Sequence, residues 1–242
     1  MAAHRLSIRN LTVSYHRIPA VHHLDVELRC GNCVALLGPN GAGKTSLFKA
    51  MVGLVTPETG SIELGGHGNA NTRHEIAYLP QREDLDWNFP ITVSGLVEMG
   101  RYTRLGWWRR FGREDARAVE RALSMMELTD LADRQIQALS GGQQQRAFIA
   151  RALAQEAHVM LLDEPFTGLD KPAQDHLSTA LRRIAAEGNL VIASHHDLHT
   201  VPHLFDQVLF LNGELIAFGN TADAFTPENI ERTFGTPAFS GH

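Results

Sequence analysis

The segment that most constrains the possible fold of this chain spans residues 38–45, where the sequence fits the pattern G-x-x-x-x-G-K-[ST] in full. Its members are Gly38, Pro39, Asn40, Gly41, Ala42, Gly43, Lys44 and Thr45. In this pattern the glycines let backbone N–H groups surround phosphate oxygens, the lysine reaches the outer phosphates, and the hydroxyl binds Mg²⁺. The segment therefore predicts a nucleotide-phosphate site, and a plain glycine-rich turn is the less favoured alternative.

The residues on either side of this segment predict a strand and a helix. Residues 34–37 form a short continuous apolar run, which is typical of a strand buried on both faces. A helical stretch runs from Lys44 to about Met51, and its positive N-terminal end would face the anion. Both neighbours therefore support the phosphate site.

The remaining pattern predicts an α/β fold with a mainly parallel sheet, an N-terminal antiparallel β part and an inserted helical lobe. Predicted strands cover residues 6–15, 24–28, 61–64, 76–79, 159–162, 190–193 and 208–211. Strands that alternate with helices indicate parallel pairing. Strand signals vanish over residues 87–139, which we assign to the inserted lobe, leaving 1–86 and 140–242 as the core. Asn212-Gly213 predicts a hairpin, and no element is predicted after Thr226.

A carboxylate pair, Asp163 and Glu164, directly follows the apolar run 159–162. In open α/β sheets, ligands lie beyond the carboxyl ends of the strands. Asp163 is therefore predicted to hold Mg²⁺, and Glu164, expected on the other side of the strand, to activate water as a general base. The pair alone is a weak signal, because Asp-Glu also begins many helices, but the phosphate segment strengthens it.

A second glycine-containing segment precedes a predicted helix over about residues 143–155. It consists of Leu139, Ser140, Gly141, Gly142 and Gln143. Ser140 can cap the helix, and the glycines again let backbone approach an anion. One nucleotide does not need both segments from one chain, so we predict two chains arranged head to tail that share each nucleotide.

Residues 139–143 spell LSGGQ, and the chain resembles the nucleotide-binding subunits of ABC transporters over nearly its whole length. The resemblance implies a P-loop ATPase core that binds ATP and Mg²⁺, the latter through Thr45, Gln81 and Asp163. It also implies that Glu164, Gln81 and His196 are catalytic. His195 is the alternative to His196, which is preferred because it directly precedes an acidic residue.

Further roles follow from the same resemblance. Tyr15 would stack on adenine, Ser46 would join residues 38–45 in nucleotide binding, and Asp170 would belong to the D-loop at the dimer interface. The implied partners are a second ATP-binding subunit, as a homodimer, a polytopic membrane permease and an extracytoplasmic substrate-binding protein. The chain would then work at the cytoplasmic face of the membrane.

The segment 81–93, above all Asp86-Trp87-Asn88-Phe89-Pro90, is similar to ATP-binding subunits of manganese, zinc or iron importers. A siderophore or haem importer is one alternative. Another is an ABC ATPase that acts in cofactor assembly without transport. A P-loop kinase or GTPase would not explain residues 139–143.

Composition narrows the choice of partners. The formal net charge is −5 over 242 residues. This charge does not favour binding to nucleic acid, which usually needs a basic face on the protein. Residues 101–113 mix five arginines with aromatic side chains, but we prefer a polar loop near the permease or lipid headgroups to a single-strand binding site. No run approaches the roughly 20 apolar residues of a membrane helix, so we expect a soluble chain.

Two features invite a metal or redox interpretation that we do not favour. Cys30 and Cys33 form a C-x-x-C pair, but no second pair exists, and the Gly31-Asn32 between them predicts a hairpin turn. The chain has 13 histidines, yet they lack a matching cysteine or carboxylate cluster. We therefore expect no structural transition-metal site.

Overall fold

The structure is a computed structural model that describes residues 5–15, 18–65, 67–68, 75–81, 90–105 and 110–235. The strands are β1 Arg5–Tyr15, β2 Ile18–Arg29, β3 Cys33–Leu37, β4 Thr59–Leu64, β5 His67–Gly68, β6 Ile76–Leu79, β7 Val159–Leu162, β8 Leu190–His195, β9 Gln207–Asn212 and β10 Glu214–Asn220. The helices are α1 Lys44–Met51, α2 Val93–Glu98, α3 Tyr102–Leu105, α4 Arg113–Met125, α5 Gly141–Ala154, α6 Lys171–Ala186, α7 Val201–Leu204, α8 Thr221–Ala224 and α9 Pro227–Phe234.

A six-stranded sheet in the order β10-β9-β3-β8-β7-β6 forms the centre of the fold. Its strands β9, β3, β8, β7 and β6 pair in parallel, and only β10 is antiparallel, through its hairpin with β9. The predicted α/β class and mainly parallel sheet are therefore confirmed. This order places the ends of β3, β8 and β7 next to one another, which matters for the site below.

The apolar strands of this sheet are buried because both of their faces are covered. Side chains alternate along each strand, so in β3 Cys33, Ala35 and Leu37 join one core while Val34 and Leu36 join the other. The first core is shared with α2, α4, α5 and α6, and the second with α1 and the N-terminal strands. These continuous apolar runs are thus explained by two-sided burial.

A second, four-stranded antiparallel sheet has the order β2-β1-β4-β5. Its buried side chains, including Leu6, Ile8 and Ile62, pack in the same core as α1, whose Phe48 is fully buried. The predicted N-terminal antiparallel part is therefore confirmed. It supports α1, the helix that begins at the phosphate segment.

In the described part of the predicted insert, the regular elements are helical. Helix α4 ends at Met125, because Glu127 adopts a left-handed conformation with φ 54° that breaks the helix. Its apolar residues Val119 and Leu123, and Met126 directly after it, are buried. The helix predicted from Gln143 begins two residues earlier, at Gly141.

Two local predictions were wrong. The Gly31-Asn32 turn does not form a hairpin, since β2 and β3 belong to different sheets and the turn carries the chain from one to the other. The Cys33 backbone N–H donates to the Asp206 carboxylate at 2.9 Å, whereas in a hairpin it would donate to a residue of β2. The chain after Thr226 is also not patternless: Thr226 caps α9, and Pro227 occupies its first turn.

None of the helices in the described ranges is long and apolar enough to cross a membrane.

Candidate functional site

The phosphate segment lies in the turn between β3 and α1, and its glycines are required by geometry. Gly41 and Gly43 have φ of 84° and 94°, which side-chain-bearing residues rarely adopt. A Cβ on Gly43 would stand 2.2 Å from the Ala20 carbonyl oxygen. Gly43 also caps α1, so the turn leads directly into the positive end of a helix.

Lys44 folds back over the segment that precedes it. Its Nζ donates to the carbonyl oxygens of Gly38 and Pro39 at 2.7 and 3.0 Å. Burial lowers the pKa of Lys44, while the nearby carboxylates of Glu164 and Asp163 act in the opposite sense. The ammonium group is thus held at the phosphate turn, close to two negative charges.

Asp163 is the buried centre of a hydrogen-bond network at the end of β7. It is 1% exposed, and its Oδ2 accepts from the Thr45 hydroxyl at 2.7 Å. Its Oδ1 accepts from the Ser194 hydroxyl at 2.6 Å. A buried carboxylate next to a hydroxyl presents the hard oxygen ligands that Mg²⁺ prefers, so these residues fit that ion.

Glu164 lies beyond the strand and not within its alternation. It adopts a left-handed conformation with φ 51°, and its backbone N–H donates to the Ser194 hydroxyl at 2.7 Å. Thr167 donates its hydroxyl to Glu164 Oε2 at 3.1 Å. The expected position on the opposite side of a strand is therefore replaced by a left-handed turn that brings Glu164 to the phosphate segment.

These elements enclose one cleft of about 460 Å³. It is lined by Ala20, Asn40, Gly41, Ala42, Gly43, Lys44, Thr45, Ser46, Gln81, Glu164 and Thr167. Gln81, which follows β6, and Glu164 line this same cleft. Tyr15, at the end of β1, is 42% exposed and is not among these lining residues.

The two adjacent histidines have different environments. His195 is buried; its Nε2 lies 2.7 Å from the Thr200 hydroxyl, and its ring packs against Phe166 and Phe205. Burial lowers the pKa of His195 to about 4, and the charge of His196 adds to the effect. His196 is exposed, and its Nδ1 lies 3.9 Å from Glu164 Oε2. His196 therefore faces the cleft carboxylate, while His195 packs inside.

The LSGGQ segment forms a second cleft of about 510 Å³ that shares no lining residue with the first. Ser140 caps α5: its hydroxyl accepts from the Gln143 N–H, while the Gln143 side chain accepts from the Ser140 N–H. The facing wall contains Asp170, whose carboxylate accepts from the Ala173 N–H and caps α6. The structure thus brings the predicted signature and D-loop residues together, away from the phosphate turn.

Gly142 has a property that bears on the role of this second cleft. A Cβ at this position would lie 3.4 Å from the Ala173 Cβ, an ordinary contact. Packing within the chain therefore does not require glycine at 142, in contrast to Gly43. Close approach of the backbone to a ligand is one reason for a glycine at such a position.

Sequence reasoning missed two buried polar residues. Ser194 follows the apolar run 190–193 immediately before the histidine pair, and that position was the available signal. Arg101 was assigned to a polar loop, but it is 5% exposed and binds Asp115, Glu156 and the Ala154 carbonyl oxygen. Burial would lower its pKa, but the two carboxylates raise it overall.

The remaining candidate features are the cysteine pair and the histidines. Cys33 is buried, and desolvation raises its pKa to about 12, so its thiol stays protonated. Burial also raises the pKa of Cys30, and both cysteines are free. Among the residues that the structure describes, no group of three or more histidine, cysteine, aspartate or glutamate side chains could hold a metal ion. The segment 82–89, which carries the importer resemblance, lies outside the described residues, as do residues 106–109.

Comparison with known proteins was made on sequence and on structure. A family model described as ABC transporter matches residues 21–167. The manganese transport system ATP-binding protein MntB of Halalkalibacterium halodurans is 42% identical over 229 residues, which cover 95% of this chain and 91% of the relative. The zinc transport system ATP-binding protein TroB of Treponema pallidum is 43% identical over 96% of this chain and 88% of its own length.

Among solved structures, a chain from an inward-facing transporter assigned to the metal-chelate ABC type superposes with a TM-score of 0.85. The identity is 32%, and the match covers 98% of this chain and 91% of that one.

Proposed function

The chain belongs to the ABC transporter family, and from that premise we propose that it is the ATP-hydrolysing subunit of an importer for manganese, zinc or iron. The observation that supports hydrolysis best is the single cleft where Lys44, Thr45, Glu164 and Gln81 meet. Relatives above 40% identity that are named for manganese and zinc transport support the substrate class.

We assign the residues of the first cleft to the steps of hydrolysis. The backbone of residues 38–43 and the Lys44 ammonium bind the phosphates, and Ser46 adds a contact from the same cleft. Tyr15, which lies outside this lining at the end of β1, is assigned to the adenine ring. Thr45, Asp163 and Gln81 would hold Mg²⁺, which supplies positive charge to the phosphoryl oxygens. Glu164 accepts a proton from the attacking water, and His196, 3.9 Å from that carboxylate, stabilises negative charge on the outer phosphate.

The second cleft takes part through a second copy of the chain. Residues 139–143 of one copy would contact the nucleotide held by the other, with Asp170 at the interface. This arrangement explains why the phosphate turn and the signature of one chain lie in separate clefts, and why packing within the chain leaves Gly142 unconstrained. The dimer would work on the cytoplasmic face of a membrane permease, which receives its metal from an extracytoplasmic binding protein.

The variant Glu164→Gln tests both parts of the proposal. It keeps the shape of the side chain but removes the base, so ATP turnover should fall by roughly 10²–10⁴ while ATP binding is retained. In cells grown under metal limitation, the same substitution should lower the content of one of manganese, zinc or iron. Turnover is measured on purified protein, and metal content by whole-cell elemental analysis.

Glu187→Gln is the matched control, since Glu187 is an exposed carboxylate near the end of α6 whose ion pair is with Arg183. It should leave both readouts unchanged. Normal turnover in Glu164→Gln would refute the base assignment. Slow turnover with unchanged levels of all three metals, in a strain without a second importer, would refute the substrate class.

A further inference from the structure

Ser194, the fifth residue of β8, is fully buried between two residues of the proposed hydrolytic site. It follows Ile192 and Ala193, whose neighbours on β7 are Leu161 and Leu162. The parallel register therefore brings Ser194 beside Asp163, the first residue after β7. A hydroxyl is placed where the surrounding strand positions are apolar.

The Ser194 hydroxyl uses both its donor and its acceptor capacity on the carboxylate pair. It donates to Asp163 Oδ1 at 2.6 Å and accepts from the Glu164 backbone N–H at 2.7 Å. Thr45 occupies the other Asp163 oxygen at 2.7 Å. Ser194 and Thr45 therefore hold the Asp163 carboxylate from both sides.

The bond to Glu164 affects backbone conformation. Glu164 is a side-chain-bearing residue with φ 51°, a conformation that persists only when the surroundings favour it. The left-handed turn leaves its N–H directed away from the strand ladder, and Ser194 is the acceptor of that N–H. Without that acceptor the part-buried N–H would lose its partner, so the turn that brings Glu164 into the cleft would lose support.

A buried serine is often only a satisfied polar group in a core. Ser194 differs because its two partners are adjacent residues with two different proposed roles. One is the carboxylate assigned to Mg²⁺, and the other carries the base. A single hydroxyl that bonds both links the Asp163 carboxylate to the backbone that carries Glu164.

We propose that Ser194 is a positioning residue that aligns Asp163 and Glu164 for hydrolysis. The proposal rests on the roles assigned to these two residues under the proposed function. Ser194 is not among the residues that line the first cleft. Its loss should therefore act in two separable ways, on Mg²⁺-dependent ATP affinity through Asp163 and on turnover through Glu164.

The test is Ser194→Ala in the purified full-length chain, with ATP as the probe. Turnover should fall by about tenfold to a hundredfold, the range expected when buried partners are left unsatisfied. ATP affinity in EDTA should stay at the wild-type value, because Lys44 and the phosphate turn are intact. The gain in ATP affinity on adding Mg²⁺ should shrink by about fivefold or more.

A double variant separates the two effects. In a Glu164→Gln background, adding Ser194→Ala should reduce turnover little further, because residues that act as a unit are not additive. The loss of Mg²⁺-dependent affinity should persist in that background. Ser194→Cys, which keeps the shape but has a weak donor and acceptor, gives a second variant if the alanine chain does not fold.

Ser178→Ala is the matched control, since Ser178 is a buried serine on α6 away from the cleft. It should change neither readout. Wild-type turnover and a wild-type Mg²⁺ effect in Ser194→Ala would overturn the proposal, as would equal losses in Ser178→Ala. The Mg²⁺-binding measurement does not depend on turnover, so it tests Ser194 even if the wild-type chain does not hydrolyse ATP. A wild-type chain without ATP hydrolysis would count against the proposed function and not against the role of Ser194.

Discussion

At the residue scale, His195 shows how neighbouring side chains of one type acquire different properties. Its imidazole bonds to Thr200, which itself donates to the Asp197 carbonyl oxygen at 2.9 Å. Because the Thr200 hydrogen is used in that way, the Thr200 oxygen accepts from His195 Nε2–H. His195 thereby ties the loop after His196 to the core, while His196 remains free to face Glu164.

The low pKa of His195 predicts a stability effect. Its folded pKa, about 4, lies below the ordinary value of 6.5, so between these values the unfolded state binds more protons. The free energy of unfolding should be highest above pH 6.5 and should fall as the pH is lowered from 6.5 toward 4. His195→Gln, which can still donate to Thr200 but does not titrate, should flatten this dependence. Urea unfolding at several pH values between 5 and 7 measures both slopes.

His203→Gln is the control for that experiment. His203 is exposed and is not among the groups that shift the pKa of His195, so its replacement should leave the slope of the wild-type chain in place. A wild-type slope in His195→Gln would contradict the conclusion that the low pKa of His195 causes the pH dependence of stability.

At the element scale, α5 is held at both ends. Its N-terminus is closed by the Ser140–Gln143 capping box. At its C-terminal end, Arg101 binds the Ala154 carbonyl oxygen, and Glu156 receives ion pairs from Arg101, Arg104 and Arg121. The approach is close, because a Cβ on Gly100 would lie 2.1 Å from the Arg151 carbonyl oxygen. These contacts bind the helical segment after α2 to the helix that begins at the signature.

Arg101→Met should destabilise the chain by about 3 kcal/mol, since it leaves the buried Asp115 without the guanidinium. Arg104→Met is the matched control: Arg104 also contacts Glu156, but its side chain is 40% exposed, so the loss should stay below about 1 kcal/mol. Urea unfolding of the two variants provides the comparison. Equal losses would indicate that burial does not set the strength of this network.

At the scale of the whole molecule, the separation of the two clefts predicts that the chain works together with a second copy. The phosphate turn and the signature lie in separate clefts of the same chain. Under the proposed function, each active site combines one cleft from each copy. This arrangement makes a prediction that a site within one chain does not make.

Lys44→Ala and Gly142→Ala should each abolish most ATP turnover when prepared alone. Gly142→Ala should keep its stability, because its own chain accommodates the Cβ. When the two variants are mixed, some dimers contain one copy of each. In such a dimer both substitutions lie in one shared site, and the other site has neither. Turnover should therefore partly return on mixing, which an ATPase assay of the mixture measures; no recovery, with dimers shown to exchange subunits, would refute the shared site.

Much of the fold could be predicted from the sequence because its signals are local. Val34 to Leu37, the glycine-rich turn and the helix after Lys44 are contiguous, and each carries its own backbone preference. The apolar runs before Asp163 and the histidine pair identified buried strands in the same way. The wrong hairpin at Gly31-Asn32 arose because a turn signal does not say which sheet receives the next strand.

The sequence by itself determined the chemical identity of the phosphate turn, the carboxylate pair and the LSGGQ segment, since backbone freedom and side-chain type within a few residues decide these features. Only the tertiary structure decided the role of Ser194, the separate environments of His195 and His196, and the burial of Arg101. Those depend on contacts such as Ser194 to Asp163, 31 positions apart, and Arg101 to Glu156, 55 apart. Such pairs meet only through the order of strands β3, β8 and β7 and the packing of helices on them, which no local preference specifies.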